Sequence, residues 1–214
     1  MVDDSPGEQP TDPDREILEQ VASGDELAFA LLVERHQGRL LGLCERLLGD
    51  PEDARDAAQE VFLKVYRKAA GFRPEGQVFT WMYRIATNHC LNKLRRRRIV
   101  RFVGWSEKER DGAPWQPRDP GPGPEREVEA RARWHRTRGA IARLPAGQQG
   151  VLVLAKFEGL SYRQIAQVLG ITESAVESRL FRAMQTLRRA QEEELRGVSW
   201  RESRTLEQRD EGRS

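Results

Sequence analysis

Hydrophobic residues recur every three or four positions along most of the chain, and this spacing predicts α-helices rather than strands. One such stripe spans residues 29–47 and stops at a Gly-Asp-Pro turn. A second spans residues 54–69 and stops at Gly71, and a third helix is predicted from about Phe79 into a basic run. Together they predict a compact helical domain over residues 14–103.

The same spacing returns in the second half of the chain, with helices predicted over residues 128–144 and 146–157. Ser161 followed by Gln164 is typical of a capping box at the start of a further helix. Gly170 predicts the end of that helix, and Thr172 can cap the next one. The short turn between these last two helices predicts a helix-turn-helix.

Segments with no helical spacing divide the chain. Residues 104–124 hold five prolines and four glycines, which predicts a flexible linker between two small helical domains. Residues 1–13 predict a disordered N-terminal tail. Residues 191–214 mix both charge signs and fit either a frayed helix extension or a tail. The second domain is therefore predicted over residues 125–190.

One face of the last predicted helix is unusual. Its apolar stripe is covered by the preceding helix, which leaves an exposed face of mixed chemistry comprising Ser174, Glu177, Ser178, Phe181 and Arg182. Arg can hold guanine or phosphate, Glu can accept from cytosine, and an aromatic edge can contact a thymine methyl. This face predicts major-groove binding; a helical hairpin with a mixed polar surface is the alternative.

The end of the first domain is strongly basic. Residues 92–101 contain six basic side chains and no acid, which indicates phosphate binding; a merely solubilising or import-like run is the alternative. Just upstream, Phe72, Phe79, Trp81 and Tyr83 crowd around a Pro-Glu-Gly loop. Aromatic rings beside a cationic helix suit single-stranded DNA, although pattern alone favours core packing for these rings slightly.

An acidic stretch precedes them. Asp53, Asp56 and Glu60 recur at helical spacing near a helix start, where the dipole favours anions. Paired carboxylates could also indicate a metal-dependent nuclease, but no His or Cys completes a ligand set. A basic protein partner fits better than a metal ion, and no cofactor is predicted.

Composition and charge limit the partners and the location that the chain can have. The 214 residues carry 36 basic and 34 acidic side chains, so the net charge of +2 does not by itself indicate nucleic acid. No apolar stretch approaches the roughly 20 residues that span a bilayer, and the acidic N-terminus lacks signal-peptide features. We therefore expect a cytoplasmic protein without membrane insertion. Cys44 and Cys90 lie within helical patterns and are predicted to be buried free thiols.

Three stretches in this order resemble a bacterial extracytoplasmic-function (ECF) sigma factor of the sigma-70 family. They read DARDAAQEVFLKVYRK, FTWMYRIATNHCLNKLRR and EGLSYRQIAQVLGITESAVESRLFRAMQTLR. With their flanking helices they cover residues 25–190. The resemblance implies an all-α protein with a region-2 helical bundle, a flexible linker and a region-4 helix-turn-helix domain. It implies a factor that directs core RNA polymerase to specific promoters and assists promoter opening, with no catalytic site.

The resemblance also implies roles for residues. Binding to the polymerase beta-prime clamp helices would fall to Asp53, Asp56, Gln59 and Glu60. Contacts to the melted minus-ten element would fall to Phe72, Phe79, Thr80, Trp81, Arg84, Asn88, Asn92, Lys93, Arg95 and Arg96. Contacts to the minus-thirty-five duplex would fall to Ser174, Glu177, Ser178, Arg179, Phe181 and Arg182. The remaining partners implied are the polymerase beta flap and an anti-sigma factor, often membrane-bound, which would hold the chain near the membrane until release to the nucleoid.

Two other classes of function stay open at this point. A stand-alone helix-turn-helix repressor or activator, with a first domain that binds a ligand or dimerises, would bind duplex DNA tightly without polymerase. A metal-dependent nuclease would cleave strands with magnesium.

Overall fold

The chain folds entirely into helices wherever the structure, a computed structural model, describes it. The described residues are 12–73, 76–102 and 139–211. Every regular element within these ranges is helical, which confirms the predicted all-α fold. The predicted linker over residues 104–124, most of the predicted helix over 128–144 and residues 1–11 of the predicted tail lie outside the described residues.

Within the described residues, the first half contains four helices and a short turn, and the second half contains three complete helices. In the first half these are α1 (Arg15–Ala22), α2 (Glu26–Leu48), α3 (Pro51–Lys68), a 3-10 turn (Ala69–Gly71) and α4 (Val78–Phe102). In the second half, helical residues 139–143 precede α5 (Ala146–Lys156), α6 (Tyr162–Leu169) and α7 (Glu173–Glu211). The helix α7 continues well past residue 190, where the sequence left a tail or a helix extension open.

The turn between α2 and α3 forms as the sequence predicts. Gly49 ends α2 in the left-handed region at φ 75°, which a residue with a side chain adopts only at a cost. Asp50 then caps α3, because its carboxylate accepts a hydrogen bond from the Asp53 N–H at 2.9 Å. Pro51 occupies the first helical position, where no N–H is needed.

The helix α1 was not predicted. Its apolar residues Leu18 and Val21 are buried, and its cap residue Asp14 is buried as well. Asp14 is held by two residues of α2: Arg35 donates to Oδ1, and His36 Nε2 lies 2.8 Å from Oδ2. The apolar spacing of this helix extends over only two turns and lies beside an acidic, Pro-containing segment. Tertiary contacts rather than local spacing therefore define this helix.

The first half has a dense apolar core in which both cysteines are buried. Leu32, Leu40 and Leu43 of α2 have no measurable exposure, and α2 packs against α3 and α4. Cys44 and Cys90 are free thiols, as predicted, and their sulfur atoms lie 3.6 Å apart. This shared core fixes α3 and α4 relative to each other, and thereby fixes the positions of their solvent-facing side chains.

The helix-turn-helix has the caps that its sequence predicts. Ser161 N–H donates to Gln164 Oε1 at 2.9 Å, and Gln164 N–H donates to Ser161 Oγ at 3.3 Å, which completes the capping box. Gly170 ends α6 at φ 65°, and Thr172 Oγ1 accepts from Ala175 N–H at 3.2 Å at the start of α7. Val176 and Ala183 of α7 are fully buried.

The two halves pack against each other. The helices α5 and α6 contact α4, and α5 also contacts α2, so buried residues of both halves belong to one continuous core. The sequence predicted separate domains but gave no indication of this contact, because it depends on residues more than 40 positions apart in the chain. No helix in the described ranges is long and apolar enough to cross a membrane.

Candidate nucleic-acid interfaces

A groove along α4 brings together many of the residues implied in minus-ten binding. It encloses about 610 Å³ between α3 and α4. Its lining comprises Glu60, Lys64, Lys68, Trp81, Arg84, Ile85, Asn88, His89, Asn92, Lys93 and Arg96. Five basic side chains therefore face a single carboxylate around an aromatic ring. This is the combination of stacking surface and backbone-binding charge that suits a single strand.

Trp81 is held in place beside this groove by Phe72. The two rings meet edge to face, with centroids 5.4 Å apart. Phe72 lies in the loop before α4, so the loop and the helix support one aromatic pair. Both rings are partly exposed. Pro74 and Glu75 of the same loop lie outside the described residues.

Phe79 and Thr80 do not line the groove. Phe79 stacks against Tyr83 with ring centroids 4.1 Å apart, and the Arg39 guanidinium lies 4.4 Å from the Phe79 centroid. Positions 79 and 81 are two residues apart on a helix and point to nearly opposite sides. The groove therefore brings together Trp81, Arg84, Asn88, Asn92 and Arg96. Phe79 lies on the side of α4 that faces α2. Arg95 is exposed and does not line the groove.

Lys93 links the groove to the acidic helix. Its Nζ lies 2.8 Å from Asp53 Oδ1, and Arg97 donates to Asp53 Oδ2. Burial raises the pKa of Asp53, but the hydrogen bonds and charges of Lys93 and Arg97 outweigh this effect and hold the pKa below its usual value. Asp53 is therefore committed to two cations of its own domain.

His89 lines the groove among its basic side chains. Burial lowers its pKa, and the nearby Lys64 ammonium lowers it further. Lys64 Nζ donates to His89 Nδ1, which requires that nitrogen to be unprotonated. His89 consequently positions Lys64 without adding a charge of its own.

The rest of the predicted acidic stripe is open to solvent. Asp56, Gln59 and Glu60 are exposed on α3, and Leu63 on the same face is 51% exposed. An exposed leucine one turn after Gln59 places an apolar contact beside the carboxylates. Leu63 was not among the predicted site residues, although its spacing from Gln59 and Asp56 is that of one helical face.

The start of α4 is capped by a residue from the predicted N-terminal tail. Asp12 Oδ2 accepts from the Val78 N–H at 2.6 Å, and Oδ1 accepts from the Asp14 N–H at 3.1 Å. Val78 is fully buried, so its N–H has no access to water and needs this partner. Asp12 was missed because the capped helix begins 66 residues later in the chain.

The helix α7 presents the mixed face that its sequence predicts. Ser174, Glu177, Ser178 and Arg182 are exposed, and Phe181 is 61% exposed. Arg182 Nε donates to the Ser178 carbonyl at 3.2 Å, which leaves the other guanidinium donors available to a ligand. Its exposed hydroxyl, carboxylate, guanidinium and aromatic groups are of the kinds that contact base edges in a major groove.

Arg179 lies apart from the other predicted α7 residues. A Cβ placed on Gly147 of α5 would lie 3.3 Å from Arg179 Nη1, so this side chain lies against α5 and is only partly exposed. Among the described residues, no group of three or more His, Cys, Asp or Glu side chains could hold a metal ion.

Comparisons with known proteins match both halves of the chain. The family model Sigma-70 region 2 matches residues 32–99, and the model Sigma-70, region 4 matches residues 135–187. The RNA polymerase sigma-H factor of Pseudomonas aeruginosa is 38% identical over 184 residues, which cover 83% of this chain and 93% of that protein. The ECF RNA polymerase sigma-E factor of Haemophilus influenzae is 34% identical and covers 81% of this chain and 93% of its own length.

Solved structures show the same similarity. The structure of CnrH in complex with the cytosolic domain of CnrY has a TM-score of 0.59 and 29% identity, and it covers 84% of this chain and 97% of that one. The sigma factor RpoE from Bartonella quintana, in complex with the anti-sigma factor NepR, has a TM-score of 0.60. It covers 77% of this chain and 96% of that one at 21% identity, and it supports the fold alone.

Proposed function

Since the chain belongs to the ECF sigma factors of the sigma-70 family, and so directs RNA polymerase to promoters, we propose how its surfaces divide this work. The region-2 half (residues 12–102) binds core polymerase and the melted minus-ten element. The region-4 half (residues 139–192) binds the minus-thirty-five element as a duplex. The observation that carries this proposal is the presence of one exposed nucleic-acid surface of suitable chemistry on each half.

The α4 groove is proposed to take the melted strand. Trp81 and Phe72 offer faces and edges for unstacked bases, while Arg84 and Arg96 are placed for the backbone phosphates. Asn88 and Asn92 are exposed between these cations and offer both donors and acceptors. Unstacking a base costs a few kcal/mol, which polymerase binding and stacking on these rings would offset.

The α3 face is proposed to bind core polymerase, on the beta-prime clamp helices. Asp56, Gln59 and Glu60 provide the polar contacts, and Leu63 provides an apolar one. Asp53 acts differently from its sequence-based assignment in this proposal. Its ion pairs with Lys93 and Arg97 brace α3 against α4, so it supports the interface from inside the domain.

The α7 face is proposed to read the duplex, with Arg182 as the main base contact and Phe181 against a thymine methyl. Ser174, Glu177 and Ser178 complete the contact surface, and Arg179 stabilises α7 against α5. Region 4 is also proposed to contact the polymerase beta flap. No step in this scheme uses a catalytic residue or a cofactor, and we propose that the chain is not an enzyme.

An anti-sigma factor is the proposed inhibitory partner. Two similar sigma factors are bound in their structures to CnrY and to the anti-sigma factor NepR, respectively. In this chain an open groove of about 550 Å³ beside the recognition helix is lined by Tyr162, Leu180, Phe181 and Met184, among others. An inhibitor that covers these side chains would block duplex binding directly.

Run-off transcription tests the proposed function. The full chain would be combined with core RNA polymerase on genomic fragments, and the start sites would be mapped. The proposal predicts discrete start sites that require both components and share upstream elements. Tight, specific duplex binding by the chain without polymerase, combined with no promoter-specific transcript, would favour a stand-alone regulator instead.

A further inference from the structure

Two lysines of α3 line the groove together with the α4 side chains that are proposed to bind the melted strand. Lys64 and Lys68 lie one helical turn apart on the same face of α3, and both belong to the groove lining. On α4, Lys93 is paired with Asp53 at 2.8 Å, so its charge is already partly neutralised. A strand in the groove would therefore meet cations of α3 as well as those of α4.

Lys64 is held against α4 by His89. Lys64 Nζ donates a hydrogen bond to His89 Nδ1, so the ammonium lies against α4 rather than extending into solvent. An ammonium has three N–H donors, and this bond uses one of them. Glu60 Oε2 lies 3.6 Å from Nζ, beyond hydrogen-bond distance, and the Glu60 side chain is 58% exposed. Because an exposed pair of this kind contributes little, His89 rather than Glu60 fixes the lysine.

The His89 ring accepts this bond at a cost to the fold. Its side chain is 14% exposed, and because Nδ1 accepts from Lys64, the neutral ring carries its proton on Nε2. Nε2 is buried and has no hydrogen-bond partner among the described residues, since Glu60 Oε2 is 3.7 Å away. A buried donor without an acceptor is destabilising. An apolar side chain would avoid this cost, so packing alone does not account for a histidine at this position.

We propose that Lys64 binds a backbone phosphate of the melted strand and that His89 is the positioning residue that holds Lys64 in the path of the strand. The inference rests on the proposed function, because it assigns a further contact within the same groove. A free lysine side chain samples many rotamers and loses that freedom when it binds a phosphate. The bond to His89 restricts Lys64 before the strand arrives, which lowers the entropic cost of binding.

Four variants separate the two roles. Lys64→Gln removes the charge, and His89→Leu removes the acceptor while keeping an apolar side chain in a mostly buried position. His89→Gln keeps an oxygen that can accept from Lys64. The double variant Lys64→Gln/His89→Leu shows whether the two residues act together. Arg67→Gln is the matched control, because Arg67 is an exposed cation of α3 outside the groove.

Binding to a single strand measures the Lys64 contact. Each variant would be assembled with core polymerase, and the holoenzyme would be titrated with a fluorescent single-stranded minus-ten oligonucleotide at several salt concentrations. Lys64→Gln should weaken binding by about fivefold at low salt, equally for the promoter sequence and a scrambled one, because a phosphate contact carries no sequence information. The slope of log affinity against log salt should fall in magnitude by about 0.7. Arg67→Gln should change neither quantity.

The same titrations measure the positioning role of His89. His89→Leu should weaken binding by about two- to threefold with the salt slope retained, because the lysine can still reach the phosphate once it is immobilised. His89→Gln should restore most of this loss, and the double variant should bind no more weakly than Lys64→Gln alone. Additive losses in the double variant would show that His89 acts independently of Lys64 and would overturn the positioning role.

The wild type separates this inference from the proposed function. If wild-type holoenzyme binds the minus-ten oligonucleotide but Lys64→Gln behaves like Arg67→Gln, only the Lys64 contact is rejected. If wild-type holoenzyme does not prefer the minus-ten oligonucleotide to a scrambled strand, the proposed use of the groove fails whatever the variants show.

Discussion

Trp81 and Phe72 meet edge to face beside the α4 groove, with their ring planes inclined at 67°. This contact fixes Trp81 on the groove side of α4, where a base released from the duplex could stack on it. Trp81→Ala should weaken binding of holoenzyme to a single-stranded minus-ten oligonucleotide by about 1–3 kcal/mol. Tyr66→Ala is the control, because Tyr66 is a partly exposed aromatic on α3 outside the groove. Equal losses in both variants would contradict a stacking role for Trp81.

Arg182→Ala should weaken recognition of the minus-thirty-five duplex by about 1–3 kcal/mol, because the variant loses a bidentate base contact. The expected loss is largest on the preferred sequence and small on mismatched sites, which gel-shift titrations of holoenzyme can compare. Arg143→Ala removes an exposed arginine outside the helix-turn-helix and serves as the control. A uniform loss on all sequences would assign Arg182 to phosphate binding instead.

Asp56→Lys should abolish co-purification with core polymerase without changing the free energy of unfolding by more than about 0.5 kcal/mol. Asp56 is exposed, so the substitution should not disturb packing. It reverses the charge on a surface that is proposed to contact a basic partner. Glu34→Lys makes the same charge change on α2 and should leave co-purification intact. Retention of Asp56→Lys on polymerase would place the interface elsewhere.

Asp53→Asn should lower the free energy of unfolding by about 1 kcal/mol at neutral pH, because the ion pairs with Lys93 and Arg97 are partly exposed to solvent. The pKa of Asp53 is held below its usual value of 3.8 in the folded chain, so its stabilisation is present above that value. The difference from the wild type should stay constant from pH 7 to about 5 and shrink only as the pH falls below about 4. A difference that vanished near pH 6 would point to a histidine.

Asp12→Ala should lower the stability of the first half by about 1 kcal/mol, because the buried Val78 N–H loses its acceptor. Asp12→Asn retains a side-chain oxygen and should restore most of this loss. The same pair of variants should differ in minus-ten oligonucleotide binding, since the start of α4 positions Trp81, and should match in duplex binding by region 4. Thermal unfolding and the two binding titrations check these outcomes.

Local signals in the sequence are sufficient for most helix ends and for the reading face of α7. Gly49, Asp50, Ser161 and Gly170 act through neighbours within four residues, so their roles can be read directly from the chain. The polarity of Ser178 and Arg182 beside a buried Val176 likewise follows from helical spacing alone.

Contacts between distant segments could not be predicted in the same way. Helical spacing would have separated Phe79 from Trp81, but nothing local indicates that Arg39 covers Phe79. Asp53 resembles its exposed neighbour Asp56 in sequence, and only the packing of α4 on α3 pairs it with Lys93. The contact of Glu158 with Arg46 joins residues 112 positions apart and leaves no pattern in either segment.

We propose that two surfaces on one chain read two promoter elements together, and only within the polymerase complex. Footprinting on a mapped promoter shows which elements are protected. Permanganate probing of unpaired thymines in the same complexes shows which element is melted. With holoenzyme we expect protection of the minus-thirty-five element and reactive thymines in the minus-ten element, and we expect neither signal with the chain alone. Protection of both elements by the chain without polymerase, or holoenzyme protection confined to one element, would contradict it.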